Sequence, residues 1–152
     1  MSFRVESPAF SDGGSIPKLY TCEGADLSPA LQWEGEPGGT RSYALIVDDP
    51  DAPAGTWNHW LLWDLPAGVH TLPQGFKPGQ AGESGTNDFG RLGYGGPCPP
   101  KGHGPHRYFF RLYALRESSL GLRRGARRAD LDKALAGRVL AEAQWMGVYE
   151  RK

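Results

Sequence analysis

The chain has 152 residues and a formal net charge of zero, from 17 basic and 17 acidic side chains. That balance supplies no basic field for nucleic acid and no polybasic tail for an anionic membrane. With 22 glycines and 13 prolines, the composition favours one β-dominated domain over residues 1–152 rather than a helical bundle.

Residues 1–20 hold short apolar islands, Phe3-Val5, Phe10 and Ile16 to Tyr20, expected as edge strands around a Ser11-Asp12-Gly13-Gly14 turn. Met1 to Glu6 does not read as a signal peptide, and no apolar run reaches transmembrane length, so a soluble cytoplasmic protein is expected. Thr21 to Pro29 reads as a loop, and Ala30 to Trp33 as a short strand. Ser42 to Asp48 is the most apolar run and is β-branched, so it reads as a central strand. Asp48-Asp49-Pro50-Asp51-Ala52-Pro53 ends it. The next strand is Thr56 to Leu65, where simple alternation sets Trp57, His59, Leu61 and Trp63 on one face.

Glycine and proline interrupt every pattern from 66 to 92, which reads as a long excursion of mobile loops. A rigid Gly/Pro loop from Gly93 to Pro105 then runs into a strand, His106 to Leu115, with His106, Tyr108, Phe110 and Leu112 on one face. Arg127 to Ala136 predicts the one helix, with Leu131 and Leu135 spaced i, i+4, Asp130 and Asp132 near its N-terminus and Gly137 as its stop. Val139 to Tyr149 alternates and predicts a last strand. Two cysteines, Cys22 and Cys98, are too few for a disulfide scaffold. In a cytosolic protein two thiols are the ordinary reading, and the sequence does not decide whether they pair.

If the strands opening at Trp57 and His106 neighbour the one ending at Asp48, then Asp49, His59, His106 and Tyr108 converge at one sheet end. Two imidazoles, a carboxylate, a phenol and backbone N–H groups from a glycine loop suit an oxyanion such as phosphate. The aspartate can hold a histidine in its donor form. Plainer roles compete: His59 among three tryptophans as a core histidine, His70 and His103 as solvated loop residues, Asp49 and Asp51 as turn caps.

The stretches Asp49-Pro50-Asp51-Ala52-Pro53, Trp57-Asn58-His59-Trp60 and Gly95 to Tyr108, ending His106-Arg107-Tyr108, closely resemble the phosphatidylethanolamine-binding protein family, which includes Raf kinase inhibitor protein. Thr21-Cys22-Glu23-Gly24, Ser28-Pro29, Leu140 to Ala143 and Gly147-Val148-Tyr149 fit its bacterial and archaeal branch. The resemblance implies an antiparallel β-sandwich with a few short peripheral helices and a pocket for the phosphate of phosphoethanolamine-type head groups. It implies Asp49, His59, His106 and Tyr108 as pocket residues, with Pro53, Trp57, Gly96 and Pro99 shaping it and Asp51 and Pro50 supporting the loop. It also implies cis peptides as a possibility at Pro50 and Pro53, and a homodimer. The short Asp51-to-His59 connection departs from the eukaryotic members, as does the lack of the C-terminal helix they place over the pocket.

The expected function is therefore non-catalytic binding of a small phosphate-bearing ligand, without cofactor or metal. The alternative is an inhibitor or regulator that contacts a kinase or serine protease, with 66–92 as the contact loop. A zinc site from Cys98, His103, His106, His59 and Asp49 has no Cys-x-x-Cys or His-Glu-x-x-His pattern behind it. An acyl hydrolase has no Gly-x-Ser-x-Gly elbow, and no Rossmann or P-loop pattern calls for a nucleotide.

Overall fold

The computed structural model describes residues 2–152. In chain order the elements are β1 (Arg4–Glu6), β2 (Leu31–Glu34), β3 (Ser42–Asp49), β4 (Trp57–Pro66), β5 (Thr71–Leu72), β6 (Glu83–Ser84), β7 (His106–Leu115), α1 (Arg128–Leu135) and β8 (Val139–Tyr149). They form two antiparallel sheets, β1-β2-β5 and β6-β4-β3-β7-β8. The expected antiparallel β-sandwich is thus what the chain builds, with α1 as its peripheral helix.

β3 is buried along its whole length because both of its faces are covered. Tyr43, Leu45 and Val47 point between the sheets and meet Val5, Leu31, Trp33 and Leu72 of the small sheet. Ala44 and Ile46 point the other way, with Leu61 and Trp63, onto Leu131 and Leu135 of α1. Each large side chain so buried contributes roughly 1.5–3 kcal/mol. The central sheet is therefore the middle layer of three. Its β3–β4 turn end gathers the termini of three strands: β3 ends at Asp49, β4 begins at Trp57, and β7 begins at His106.

Alternation fails in β4. Val47 pairs with Trp60 but Asp48 pairs with Asn58, so His59 is an extra residue in a β-bulge. Leu61 and Trp63 stay on the helix side. The bulge turns His59 the other way, onto the Tyr108 ring at 5.2 Å between centroids. The four residues expected on one face are thus divided.

Two further expectations change. Ile16 to Tyr20 is not a strand: Lys18–Tyr20 forms a 3-10 turn after Pro17, closed by the Thr21 hydroxyl donating to the Lys18 carbonyl at 2.9 Å. The 66–92 excursion is tied down rather than loose. Gly85 N–H donates to the Leu61 carbonyl at 2.8 Å. Buried Asn87 accepts from the N–H groups of Phe89 and Arg91 and donates to the Gly93 carbonyl. Asp88 accepts from the backbone and side-chain amides of Asn58 at 2.6 and 3.0 Å.

Candidate functional site

Asp49 and Asp48 are neighbours on β3 that face opposite sides of the sheet. On the sandwich side, Asp49 Oδ1 accepts the Asp51 N–H at 2.8 Å, which shapes the turn after β3. Its Oδ2 accepts from His106 Nδ1 at 2.7 Å, with both groups nearly inaccessible. That bond fixes the His106 tautomer with a proton on Nδ1. Asp49 is thereby a positioning residue, its two oxygens engaged inside the protein.

The turn is held by Asp51. Its carboxylate accepts from the Arg107 backbone N–H, Nε and Nη2, all within 2.9 Å. Arg107 pulls the Asp51 pKa down to about 2. No peptide bond among the described residues is cis, so the cis possibility at Pro50 and Pro53 is not realised. The Asp49–Asp51 turn closes with trans bonds. Pro50 and Pro53 lie exposed on that turn, outside the buried cluster.

His59 is 3 % exposed and its Nδ1–H donates to the Gly95 carbonyl at 2.7 Å. Burial lowers its pKa below the ordinary 6.5, outweighing the opposing pull of Gly95 and Asp49. The ring is therefore neutral at pH 7 and Nε2 is its bare, accepting nitrogen. The edge of Phe89 stands 5.4 Å from His59 and 5.5 Å from half-buried Trp57, between centroids, so an aromatic rim joins both residues.

Tyr108 is 1 % exposed, and its hydroxyl has no hydrogen-bond partner in the protein. Burial, reinforced by Asp49, raises its pKa far above the ordinary phenol range. It stacks near His106 at 6.4 Å and meets His59 edge-on. A buried hydroxyl left unpaired costs about 1–3 kcal/mol, so it is a donor in want of an acceptor.

Three glycine amides of the Gly/Pro loop are engaged inside the protein: Gly95 N–H on the His59 carbonyl at 2.9 Å, Gly96 N–H on Asp26 Oδ1 at 2.8 Å, and Gly102 N–H on the Arg151 carbonyl at 2.9 Å. Asp26, at φ +59°, supplies the loop's own anion. Gly96 is glycine because a Cβ there would lie 2.3 Å from the Tyr20 carbonyl oxygen. The carbonyl of buried Pro99 accepts from Arg151 Nε at 2.7 Å. Cys22 and Cys98 form a disulfide across 76 residues, correcting the two-thiol reading. It fastens the loop to the 21–24 segment, where Cys22 N–H also donates to the Pro97 carbonyl.

Sequence reasoning missed Phe89, Asn87 and the Gly95 carbonyl. His103 is the exposed loop residue expected, and its ring in addition lies 2.6 Å, Nδ1 to Nε2, from His106. The histidine-rich spacing His103-x-x-His106 was the available signal.

With this geometry described, comparison with known proteins places the chain. The sequence model of the family described as phosphatidylethanolamine-binding protein matches residues 6–150. A UPF0098 protein of Aquifex aeolicus is 51 % identical over 97 % of this chain and 88 % of its own length. A UPF0098 protein of Pyrococcus horikoshii is 47 % identical over 100 % of this chain and 78 % of its own. Among solved structures, Escherichia coli YbcL, described as a member of the mammalian family, superposes with TM-score 0.93 at 36 % identity, covering 100 % of both chains. A Chlamydia trachomatis homologue superposes with TM-score 0.91 at 37 % identity, covering 99 % of both. The chain belongs to the phosphatidylethanolamine-binding protein family.

Proposed function

We propose that this protein binds a small phosphate-bearing ligand of the phosphoethanolamine type at the Asp49–His106–Tyr108–His59 cluster, by recognition without turnover. The observation that carries the reading is the buried, unpartnered Tyr108 hydroxyl beside an imidazole oriented by a buried carboxylate. The phenol is a donor for a phosphate oxygen, and His106 becomes a second one when its Nε2 carries a proton. His59 offers an accepting nitrogen, which suits a protonated phosphate oxygen or the ammonium of the head group.

The absence of turnover rests on the same contacts. His106 Nε2 faces an imidazole, not a hydroxyl or thiol it might activate. Tyr108 is held neutral far above neutral pH, so the phenol is a poor base or nucleophile. No helix among the described residues is long and apolar enough to cross a membrane. The Cys22–Cys98 disulfide favours an oxidising compartment over the cytoplasm expected from the sequence. A Mycobacterium tuberculosis relative, 40 % identical over 96 % of this chain and 71 % of its own length, carries a lipoprotein name, LppC.

Calorimetric titration with O-phosphoethanolamine at pH 6.5 tests the reading. Saturable binding to the wild type, weakened in Tyr108→Phe and lost in His106→Gln, is expected. No binding to the folded wild type at millimolar ligand would sink it.

A further inference from the structure

His106 has two ring nitrogens, and both are occupied. Nδ1 is spent on Asp49 at 2.7 Å, and Nε2 lies 2.6 Å from His103 Nδ1. One hydrogen fits between two nitrogens at that distance, so the pair closes with a single N–H···N bond. In this state His106 has no free N–H to give a ligand.

The two partners differ in anchorage. Asp49 is buried on a central strand, whereas His103 is exposed at the tip of the loop. Gly102 and Gly104 flank it at φ +75° and +91°. Open space surrounds the Cβ direction of both glycines. The base of the loop is tied by Arg151, which donates to the Pro99 carbonyl and accepts from Gly102 N–H. The tip is held by a bond from its own N–H to the Pro100 carbonyl at 3.2 Å and by the ring contact.

Building on the phosphate reading above, we propose that His103 is a proton-operated latch on the pocket. In the closed state it occupies His106 Nε2. One added proton leaves a single N–H···N bond, because the neutral ring of the pair accepts it; when both rings are protonated a hydrogen sits on each facing nitrogen, the rings repel, and His103 swings away. His106 then presents Nε2–H to an oxyanion beside the Tyr108 hydroxyl.

The charged groups around the pair set the direction. Asp49 on β3 supports positive charge on His106. Asp51 acts on His106 from the same side while paired to Arg107 of β7. Lys101 in the loop and Arg151 after β8 add positive charge, which opposes the second proton in the free protein and is relieved when an anion binds. Neutral His59 and neutral Tyr108 add none. Opening is therefore coupled to ligand, and binding takes up a proton.

The test compares the wild type with His103→Ala, titrated with O-phosphoethanolamine at pH 5.5 and 7.5. The ligand's own ionisation, near pH 6, is common to both proteins and cancels between them. At pH 7.5 the variant should bind more tightly, having lost the internal competitor. The gain in affinity on acidification should be about tenfold larger in the wild type, for one extra proton partly taken up. Weaker binding by the variant at pH 7.5, or an identical acid gain, overturns the latch while leaving the phosphate reading intact. In the wild type saturated with ligand at pH 5.5, the ring-to-ring NOE between His103 and His106 that the free protein shows at pH 7.5 should be lost. If it persists in the complex, the latch is overturned whatever the affinities show. If neither protein binds at either pH, the phosphate reading fails and takes the latch with it, whereas failure of the latch alone leaves binding intact.

Discussion

Asp48 and Asp49 are adjacent in sequence, equally buried and each paired with a basic side chain, yet their two sides of the sheet are built differently. On the helix side, Asp48 accepts from Arg111 at 3.1–3.2 Å and from Arg128 at 3.0 Å. Arg128 also donates to Asn58 and Asp132. These groups are paired with one another, and the open groove they line carries offsetting charges. On the sandwich side, Asp49 aims an imidazole whose other nitrogen meets the ring of exposed His103, next to a phenol with no partner. The first cluster is finished and fastens α1 to the sheet. The second retains an unsatisfied donor, the Tyr108 hydroxyl, the condition for binding something else.

Asp48→Ala is expected to cost stability heavily without costing affinity. It strands two arginine side chains at a carboxylate that is 4 % exposed, and should cost about 3 kcal/mol, or ~6–12 °C in Tm, while leaving phosphate affinity nearly unchanged. Thermal melts and calorimetry on one sample read both. A loss of ligand binding in folded Asp48→Ala would mean the two sides act as one site.

Opening the Cys22–Cys98 bond, by Cys22→Ser with Cys98→Ser, should cost roughly 2–4 kcal/mol through the loop it closes. Here affinity should fall as well, because the bond holds the loop that supplies the Gly95 carbonyl to His59. Denaturant midpoints with and without ligand separate the two losses.

Tyr108→Phe should show the reverse pattern from Asp48→Ala. Removing an unpaired buried hydroxyl should leave stability unchanged or raise it, by up to about 1–3 kcal/mol, and lower phosphate affinity about tenfold. A large stability loss would show that the hydroxyl serves the fold, not a ligand.

The smallest effect concerns acid. The folded His59 pKa lies below its ordinary 6.5, so as pH falls through 6.5 the unfolded chain takes up a proton that the native ring resists. Stability is intact above that pH and declines below it. Asp51, pulled down to about 2, adds a loss only as pH falls from about 4 towards that value. His59→Gln should flatten the decline between pH 6.5 and 5, measured by urea midpoints.

Much of this was legible in the sequence, for identifiable reasons. Strands β3, β7 and β8 and helix α1 follow from period-2 and i, i+4 patterns long enough to carry them. Asp49, His106 and Tyr108 share a face for the same reason. The bulge at His59 was not legible, because one inserted residue leaves alternation intact on either side of it. Nor was the order in 83–93, where Asn87 and Asp88 shape the backbone by side-chain bonds that have no period. At Gly96 the absence of a side chain lets the loop pack closely against Tyr20 and Asp26, a use that the sequence pattern does not distinguish from an approach to an anion.

The most direct measurement follows the side-chain signals of both clusters by NMR while O-phosphoethanolamine is added at pH 6.5. His59, His106 and Tyr108 should shift and saturate together, while the Arg111 and Arg128 guanidinium signals stay still. Movement of the arginines with silent histidines would move the site to the helix side and contradict the account.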